Sequence, residues 1–401
     1  MQSPLRLLAA AAWFATSAAA LATPSSSSPG QLRNLGKSDI LVSNCCLGGM
    51  TWGFQNTAEE AMQQLDMARG YGVNFIDTAE GYPVPMEAET QGKTDECIAK
   101  WLKASKVPRD QVVISTKVSG YNERYTWMRD SGEGTRLTKE QIHESVDKSL
   151  KRLGTDHIDL LQFHWPERSV GLVRGSAGAA SGEAGARSLG VESYENQVAA
   201  IGELLAAGKI RTWGLSNENI EGVSAFIAAA DAAGIDRPVT VQNAYSLLQR
   251  QDETDKLIDL LEEHSMSYLP YSPLSGGVLS GKYSASRVKR SSSGGALKKR
   301  SRLGLVRGYE DSFVKSKGPA AVEMYIKVAA KFGVTPTQLA IALCASREFA
   351  TSTIIGATSL TQLAEDLQGF RIEWTQEMED EVMSVYKQIP DPWRVQVAGM
   401  G

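Results

Sequence analysis

Short apolar runs alternate with longer amphipathic stretches along most of the chain. The runs have the length of β-strands and are hydrophobic throughout, as strands are when both faces of their sheet are buried. They predict strands at residues 45–49, 73–77, 112–117, 158–164, 210–216, 239–243, 267–271 and 352–357. The stretches between them have helical periodicity, and they predict helices at residues 57–69, 93–103, 139–153, 195–207, 220–233, 253–263 and 320–332.

Strands in regular alternation with helices are typical of an α/β protein with a closed (β/α)8 TIM barrel. Ahead of the first strand, residues 33–42 predict a β-hairpin, and residues 374–389 predict a C-terminal helix after the last strand. An open, doubly wound sheet is the structural alternative, but it would place a GxGxxG turn after its first strand. Residues 45–53 read CCLGGMTWG, which does not fit that motif.

The first 30 residues differ in composition from the rest. They contain one basic residue, Arg6, no acidic residue, an Ala- and Leu-rich run at 7–22 and a Ser- and Pro-rich junction. This pattern is typical of a targeting segment, such as a signal or transit peptide; an uncleaved anchor and a misassigned start codon are the alternatives. We therefore expect a leader at 1–30 and a barrel at 31–401, with no stable membrane insertion after processing. The expected destination is an organelle such as a plastid, and the alternative is the secretory pathway.

Composition narrows the classes of function. With 42% hydrophobic and 22% charged residues, the chain is typical of a soluble globular protein. A net charge of −4 gives no general attraction to nucleic acid. The four cysteines show neither disulfide nor zinc spacing, so we expect them to be reduced core residues. With four histidines in scattered positions, no metal site is predicted.

Two stretches interrupt the alternation. Residues 170–192 are rich in Gly, Ala and Ser, and they predict a loop over the rim at which the fourth strand ends. Residues 284–310 are basic. They predict a solvated surface or a nucleic-acid tether, or, on the catalytic rim, a segment that closes over an anionic cofactor.

Polar side chains stand where the predicted strands end. Asp77, Lys117 and His164 end three of them, and Tyr82 follows Asp77 by five positions. Because strand ends share one mouth in a barrel, these four side chains are predicted to lie together. A buried lysine needs a partner, and Asp77 is the candidate. Taken singly, Asp77 would be interpreted as a turn residue and His164 as a core residue.

Together these groups suit proton transfer to a carbonyl. An ammonium beside a phenol lowers the pKa of the phenol, so Lys117 is predicted to make Tyr82 a usable acid. His164 would donate a hydrogen bond to the carbonyl oxygen. No nucleophile is paired with a base, so a hydride must come from a cofactor. Candidates for holding it are Ser216, Asn217 and Gln242 at a carboxamide, Tyr271 as a stacking face, and residues 272–277 and 355–358 at a pyrophosphate.

At these residues the chain resembles the aldo-keto reductases, from about residue 33 to residue 389. The motifs that carry the likeness are IDTAEGY at 76–82, HWP at 164–166, GKIR at 208–211 and QNAYSLL at 242–248. Within the family the likeness is strongest to bacterial Tas-type reductases and weaker to potassium-channel β subunits. The resemblance implies a (β/α)8 barrel with an N-terminal hairpin, NADP(H) as cofactor, and a catalytic tetrad of Tyr82, Lys117, Asp77 and His164.

The resemblance also implies a set of binding residues. The implied cofactor contacts are Thr51, Trp52, Ser216, Asn217, Gln242, Tyr271, Ser272, Pro273, Leu274, Gly276, Lys282, Arg302, Gly356, Thr358, Gln362, Glu365 and Asp366, with Trp52 and Trp165 as walls of the substrate cleft. Arg302 is the implied partner of a 2′-phosphate. Asp366 stands where many relatives have Asn, and a carboxylate there would repel phosphate.

The leading hypothesis is NADPH-dependent reduction of an aldehyde or ketone to the alcohol, or the reverse, with Tyr82 as general acid. The rival hypothesis is an NADP(H)-binding, redox-sensing or regulatory subunit that turns over slowly. Aldol cleavage through a Schiff base on Lys117 is a third and less favoured reading. The expected partner is a small carbonyl compound, and the sequence indicates no oligomeric state.

Overall fold

The structure is a computed structural model that describes residues 28–168, 192–283, 302–305 and 309–394. Most of the predicted leader and most of the Gly-rich loop at 170–192 therefore lie outside the described residues. The strands are β1 (Leu32–Asn34), β2 (Leu41–Ser43), β3 (Cys45–Gly48), β4 (Phe75–Asp77), β5 (Val113–Val118), β6 (Ile158–Phe163), β7 (Ile210–Ser216), β8 (Thr240–Gln242), β9 (Ser267–Tyr268) and β10 (Thr353–Ile355).

The helices surround the strands. They are α1 (Ala58–Gly70), α2 (Lys93–Ser105), α3 (Lys139–Leu153), α4 (Tyr194–Ala206), α5 (Ile220–Ala233), α6 (Gln251–Thr254), α7 (Leu257–His264), α8 (Arg302–Leu305), α9 (Tyr309–Lys315), α10 (Gly318–Lys331), α11 (Pro336–Ser346), α12 (Leu360–Gly369) and α13 (Gln376–Gln388). Short 3-10 turns occur at Arg109–Gln111, Thr126–Met128 and Ser275–Ser280.

The eight strands β3 to β10 form one parallel sheet in the order β10-β3-β4-β5-β6-β7-β8-β9. The two ends of this order also meet, because Tyr268 bridges Ala350 and Tyr271 bridges Ile354. At this seam the Ile354 amide donates to the Pro270 carbonyl at 2.8 Å. The sheet closes on itself, and the (β/α)8 barrel predicted from the alternation is confirmed.

Capping side chains explain where several helices begin. Thr57 accepts a hydrogen bond from the Glu60 amide, and the Glu60 carboxylate accepts one from the Thr57 amide, so α1 starts with a capping box. Thr335 and Gln338 repeat the arrangement at α11. At the other end of α3, Gly154 takes the left-handed φ of 66° that ends a helix at low steric cost.

The helix predictions need three corrections. The helix predicted at 253–263 is divided into α6 and α7, because Lys256 between them has a left-handed φ of 61°. The helices α11, which opens with Pro336, and α12 were not among the predicted helices. Part of the loop predicted at 284–310 is helical, since α8 and the start of α9 fall within it.

The N-terminal hairpin packs against the amino-terminal ends of the barrel strands. Its strands β1 and β2 pair antiparallel, and its buried side chains Leu35, Ile40 and Val42 form one apolar cluster with strand residues such as Phe75 and Leu160. The hairpin therefore covers the end of the barrel opposite to the strand ends that carry the candidate chemistry.

We expect Ile40→Ala to lower the free energy of unfolding by about 2–5 kcal/mol, as truncation of a buried Ile does. Ile40 is 2% exposed within the hairpin cluster. The matched control is Leu41→Ala at the next position, where the side chain is 46% exposed and the expected change is within about 0.5 kcal/mol. Urea unfolding measures both variants, and equal losses would show that the hairpin does not contribute to the core.

The four cysteines, Cys45, Cys46, Cys97 and Cys344, are buried and unpaired, as predicted.

In the described ranges no single helix is long and apolar enough to cross a membrane. One pair, α10 with α11, meets that length and composition test jointly but is bent by 88°.

Candidate active site

A cavity of about 810 Å³ opens at the carboxyl ends of the barrel strands. Most of the predicted site residues line it, namely Thr51, Asp77, Tyr82, His164, Ser216, Asn217, Gln242, Tyr271, Ser272, Pro273, Leu274, Gly276, Lys282, Arg302, Gly356, Thr358, Gln362, Glu365 and Asp366. Its volume suits a ligand of the size of a nucleotide cofactor or a large organic molecule.

A buried ion pair lies at one end of this cavity. The Lys117 ammonium donates to Asp77 Oδ2 at 2.5 Å and to the Thr78 carbonyl at 2.8 Å. The second carboxylate oxygen, Asp77 Oδ1, accepts from the Gln242 amide at 3.0 Å. Burial disfavours the ammonium, but the attraction of Asp77 outweighs it and the pKa of Lys117 lies above its ordinary value. Lys117 is therefore a fixed positive charge, and the predicted partnership with Asp77 is confirmed.

Tyr82 stands over this charge. The Lys117 nitrogen is 4.9 Å from the centroid of the Tyr82 ring, and the His164 ring meets the same ring edge-on at 5.6 Å between centroids. Burial raises the pKa of Tyr82, while Lys117 acts to lower it, and the net result lies above the ordinary value. The predicted net lowering is thus wrong for this cavity, although Lys117 acts in the predicted direction. The phenol stays protonated at neutral pH.

His164 is held neutral beside Tyr82. It is 5% exposed, and its Nδ1 is buried with no hydrogen-bond partner in the described part of the chain. Burial and, secondly, the Lys117 charge lower its pKa well below the ordinary value. A neutral imidazole has one N–H donor and one acceptor, so His164 has the form needed to donate a single hydrogen bond.

We expect the His164 imidazole to remain neutral as the pH falls through its ordinary pKa of 6.5. The sign follows because burial and a neighbouring cation both disfavour the imidazolium. NMR of protein labelled with 15N-histidine measures the protonation of each ring, and the missing signal in His164→Asn assigns the relevant resonance. Protonation of that ring near pH 6.5 would contradict this electrostatic account.

Amide and hydroxyl groups form the cavity wall next to the ion pair. The Ser216 hydroxyl donates to the Gln242 carbonyl at 2.8 Å. The Asn217 amide donates to the His164 carbonyl at 2.8 Å and accepts from the Tyr271 hydroxyl at 2.7 Å. These bonds fix the side chains, and the Gln242 side-chain oxygen keeps an acceptor without a partner among the described residues. The wall can therefore accept from a ligand N–H.

The cavity continues beneath a tight turn after β9. Ser272, Ser275, Gly276 and Gly277 all have positive φ, between 46° and 91°. A Cβ atom at Gly276 would come within 2.9 Å of the Tyr309 ring, so a glycine is needed there. Successive turns of this kind point backbone N–H groups into a concave surface that suits an anion.

Two cations face the same region. The Lys282 ammonium and the Arg302 guanidinium line the cavity, and neither forms an ion pair with a described carboxylate. The buried Nε of Arg302 has no hydrogen-bond acceptor in the described ranges, while its Nη1 lies 3.0 Å from the Met50 sulfur. Unpaired donors and cations in a cavity fit an anionic ligand such as a pyrophosphate or a 2′-phosphate. The residues present therefore fit NADP(H).

The far end of the cavity is formed by the start of α12. The Gln362 amide oxygen accepts from the amide and the hydroxyl of Thr358, each at 2.9 Å. Glu365 accepts from the Thr335 hydroxyl at 2.7 Å. Asp366 is 2% exposed and is one of the residues that line the cavity. All of these except Thr335 were predicted as cofactor contacts.

Two predicted wall residues do not line the cavity. Trp52 is fully buried, and its indole N–H donates to Gln64 of α1 at 2.9 Å. Trp165 is 1% exposed, and its indole N–H donates to the Tyr121 carbonyl at 3.1 Å. Trp165 still supports His164 from behind, with 4.8 Å between the ring centroids. The structure corrects the direct contact predicted for Trp52 and Trp165.

Several apolar liners were missed by sequence reasoning. Met50, Val84 and Met86 line the cavity near Tyr82. Apolar side chains have no functional group by which a sequence could mark them as site residues. The closeness of Val84 and Met86 to Tyr82 in the chain is the signal that would have identified them.

The loop that carries Tyr82 is anchored by a second buried ion pair. Both carboxylate oxygens of Glu80 accept from Arg129, at 2.7 and 2.9 Å, and Glu80 Oε1 also accepts from the Ser119 amide at 2.7 Å. Both side chains of the pair are at most 2% exposed. The Arg129 Nε donates a hydrogen bond to the Gln141 side chain of α3 at 2.9 Å. The loop is therefore connected to the helices that surround the barrel.

Several known proteins are similar to this chain in sequence. The protein named "Protein tas" from Escherichia coli (strain K12) is 34% identical over 364 residues, or 89% of this chain and 98% of that protein. A Babesia bovis protein named "Aldo-keto reductase" is 36% identical over 269 residues, or 64% of this chain and 88% of that protein.

A third relative has a different kind of name. The Arabidopsis thaliana protein named "Probable voltage-gated potassium channel subunit beta" is 29% identical over 339 residues, covering 84% of this chain and 90% of that protein. The sequence profile of the aldo/keto reductase family matches residues 44–387. That match covers most of the chain, and the barrel mouth carries the buried Asp77–Lys117 pair beside Tyr82 and His164. This protein is therefore a member of the aldo/keto reductase family, a family of oxidoreductases.

Proposed function

We propose that this protein reduces an aldehyde or ketone to the alcohol with NADPH, and catalyses the reverse reaction, with Tyr82 as general acid. One observation carries the proposal. Tyr82, Lys117, Asp77 and His164 meet at one end of a single cavity, and the rest of that cavity presents Lys282 and Arg302 without carboxylate partners among the described residues.

The cavity residues would hold the cofactor along its length. The amide wall of Ser216, Asn217 and Gln242 suits a carboxamide, and Tyr271 offers a ring face beside it. The turn at 272–277 and Lys282 suit a pyrophosphate, and Arg302 suits a 2′-phosphate. NADPH, when bound, supplies the hydride.

The protein's own residues donate the proton and orient the carbonyl group. Because the pKa of Tyr82 is raised by burial, the phenol keeps its proton until a carbonyl oxygen takes it. Lys117, held by Asp77, then stabilises the phenolate that remains. His164 is neutral and donates a hydrogen bond that orients the carbonyl. Positioned proton donation of this kind contributes about 10²–10⁴-fold to rate.

The proposal is tested with a panel of small aldehydes and ketones and NADPH. We expect NADPH to be consumed in proportion to the alcohol formed, and we expect NADPH to bind more tightly than NADH, because Arg302 has no other anionic partner among the described residues. Binding of NADPH without turnover of any carbonyl in the panel would contradict the enzymatic proposal.

A regulatory, NADP(H)-binding role is the second candidate. The likeness to the protein named as a potassium channel subunit favours it, and such a protein would keep the same cavity. Tight cofactor binding with turnover that stays slow for every substrate would support that role. The small-molecule partner is a carbonyl compound in the first case and the cofactor alone in the second.

A further inference from the structure

Asn243 is a buried polar residue to which the mechanism gives no part. It directly follows the last residue of β8 and is 4% exposed, but it is not one of the residues that line the cavity. The Glu218 main-chain amide donates to Asn243 Oδ1 at 3.2 Å, and Asn243 Nδ2 donates to the Glu218 carbonyl at 2.9 Å. One side chain therefore satisfies both polar main-chain groups of Glu218, as a neighbouring strand would.

Asn217, the residue before Glu218, depends on this contact. Its φ is left-handed, at 56°, a value that is uncommon for residues other than glycine, although asparagine tolerates it better than most. In this conformation its side chain donates to the His164 carbonyl at 2.8 Å and accepts from the Tyr271 hydroxyl at 2.7 Å. A turn that relaxed would move the Asn217 amide out of the cavity wall. Asn243 therefore helps to hold Asn217 there.

The main chain of Asn243 holds the other side of the same wall. The Tyr271 main-chain amide donates to the Asn243 carbonyl at 3.0 Å. Asn217 and Tyr271 are the groups that the proposed function places against the carboxamide and the ring face of a nicotinamide. A single residue outside the cavity thus fixes both of them.

The carboxyl group of Asp252 orients the Asn243 side chain. Asp252 lies in α6 and is 7% exposed. Its Oδ2 atom accepts from the Tyr268 hydroxyl at 2.8 Å and from Asn243 Nδ2 at 2.9 Å. The amide of an asparagine has its donors on one atom and its acceptor on the other. The bond to Asp252 therefore keeps Nδ2 beside the Glu218 carbonyl and Oδ1 beside the Glu218 amide.

We propose that Asn243, oriented by Asp252, is a positioning residue that sets the angle of the nicotinamide for hydride transfer without touching the cofactor. The inference rests on the proposed function, because it requires a nicotinamide against Asn217 and Tyr271. The cationic end of the cavity belongs to other segments of the chain. Loss of the Asn243 side chain should therefore slow hydride transfer much more than it weakens cofactor binding.

The experiment compares the wild type with Asn243→Ala. Stopped-flow absorbance under single-turnover conditions measures hydride transfer from NADPH to the best aldehyde of the panel, and calorimetry measures NADPH affinity. We expect hydride transfer to slow by about 10²-fold, as a misplacement of about 1 Å does, while the affinity falls by less than about tenfold. A general loss of stability would not separate the two quantities in this way.

Asp252 supplies a matched pair of variants. Asp252→Asn keeps an oxygen that accepts from Asn243 and Tyr268, so its rate of hydride transfer should stay near that of the wild type. Asp252→Ala lacks that oxygen and should be slower by about tenfold, the value of one ordinary hydrogen bond. The control for stability is Asn219→Ala, which removes the side-chain cap of α5 in the same turn as Glu218. It should lower the urea midpoint and leave hydride transfer unchanged.

Hydride transfer at the wild-type rate in Asn243→Ala would overturn this inference and leave the proposed function intact. Equal losses of rate and affinity would also overturn it, because Asn243 would then support binding rather than orientation. The same holds for an equal slowing in Asn219→Ala, since any disturbance of the turn would then have this effect.

Equal rates in Asp252→Asn and Asp252→Ala would overturn the orienting role of Asp252, and that pair decides the question alone if Asn243→Ala does not fold. Absence of carbonyl reduction by the folded wild type would overturn the proposed function and this inference together.

Discussion

Tyr82→Phe is expected to lower kcat for carbonyl reduction by about 10²–10⁴-fold, the usual contribution of a positioned general acid. The phenylalanine keeps the ring that packs edge-on against His164 and removes the phenol hydroxyl of the ring that lies over Lys117. The residues proposed to hold the cofactor lie on other strands and turns, so the affinity for NADPH should not change. Steady-state rates with the best aldehyde of the panel and calorimetric titration with NADPH measure the two effects separately.

The matched control is Tyr121→Phe. The Tyr121 hydroxyl bonds the exposed Glu123 carboxylate and has no lysine beneath it, so kcat should stay near the wild-type value. Equal kcat in the wild type and Tyr82→Phe would show that the proton has another source. A loss of NADPH binding in Tyr82→Phe would instead show that the variant disturbs the cavity.

Arg129→Met is expected to lower the free energy of unfolding by about 3–5 kcal/mol, because it leaves the Glu80 carboxylate buried without its cation. The methionine fills much of the space of the arginine stem, so the loss reports charge more than volume. Adding Glu80→Gln to Arg129→Met should recover part of the loss, since no buried charge then remains. Urea unfolding measures the single and double variants.

The control for this prediction is the exposed pair of Lys139 and Glu203, whose side chains are 51% and 47% exposed. Lys139→Met should cost less than about 1 kcal/mol, as solvent-exposed pairs do. An equal loss in Arg129→Met and Lys139→Met would mean that the buried pair adds no stability beyond that of a surface contact.

The same buried pair has a predictable pH dependence. Burial acts to raise the pKa of Glu80, but the Arg129 charge and hydrogen bonds outweigh burial and leave that pKa below its ordinary value of 4.5. A depressed folded-state pKa contributes stability that is present above pH 4.5 and is lost as the pH falls through the folded-state value. Arg129→Met should lack this contribution to the acid unfolding curve.

The strand ends could be predicted because barrel architecture sends them all to one mouth. Asp77, Lys117 and His164 follow from that rule alone, and the resemblance added the positions on the later turns and helices. Lys256 could not be predicted as a break, because lysine is a common residue inside helices and its type gives no sign of the left-handed φ of 61°. The helix α8 lies within a basic stretch that reads as a surface loop.

Properties that depend on tertiary burial were the ones that sequence reasoning misjudged. The cation beneath Tyr82 was foreseen, but the depth of burial that outweighs it was not. Trp52 was placed at the substrate cleft by resemblance, whereas the chain turns its indole toward Gln64 and the outer helices. The charge of Asp366 was taken from its residue type, whereas its burial raises the pKa of its carboxyl well above the ordinary value.

The hydrogen bond between Gln242 and Asp77 has a mechanical consequence as well as a chemical one. These residues end β8 and β4, which are four strands apart in a closed ring of eight and therefore face each other across the lumen. The bond spans a diameter of the barrel at its open end. Lys117 holds the Asp77 end of it by donating to the same carboxylate. A distortion of the mouth along this diameter must change the distance between Gln242 and Asp77, so the shape of the barrel mouth and the position of the Lys117 ammonium depend on the same carboxylate.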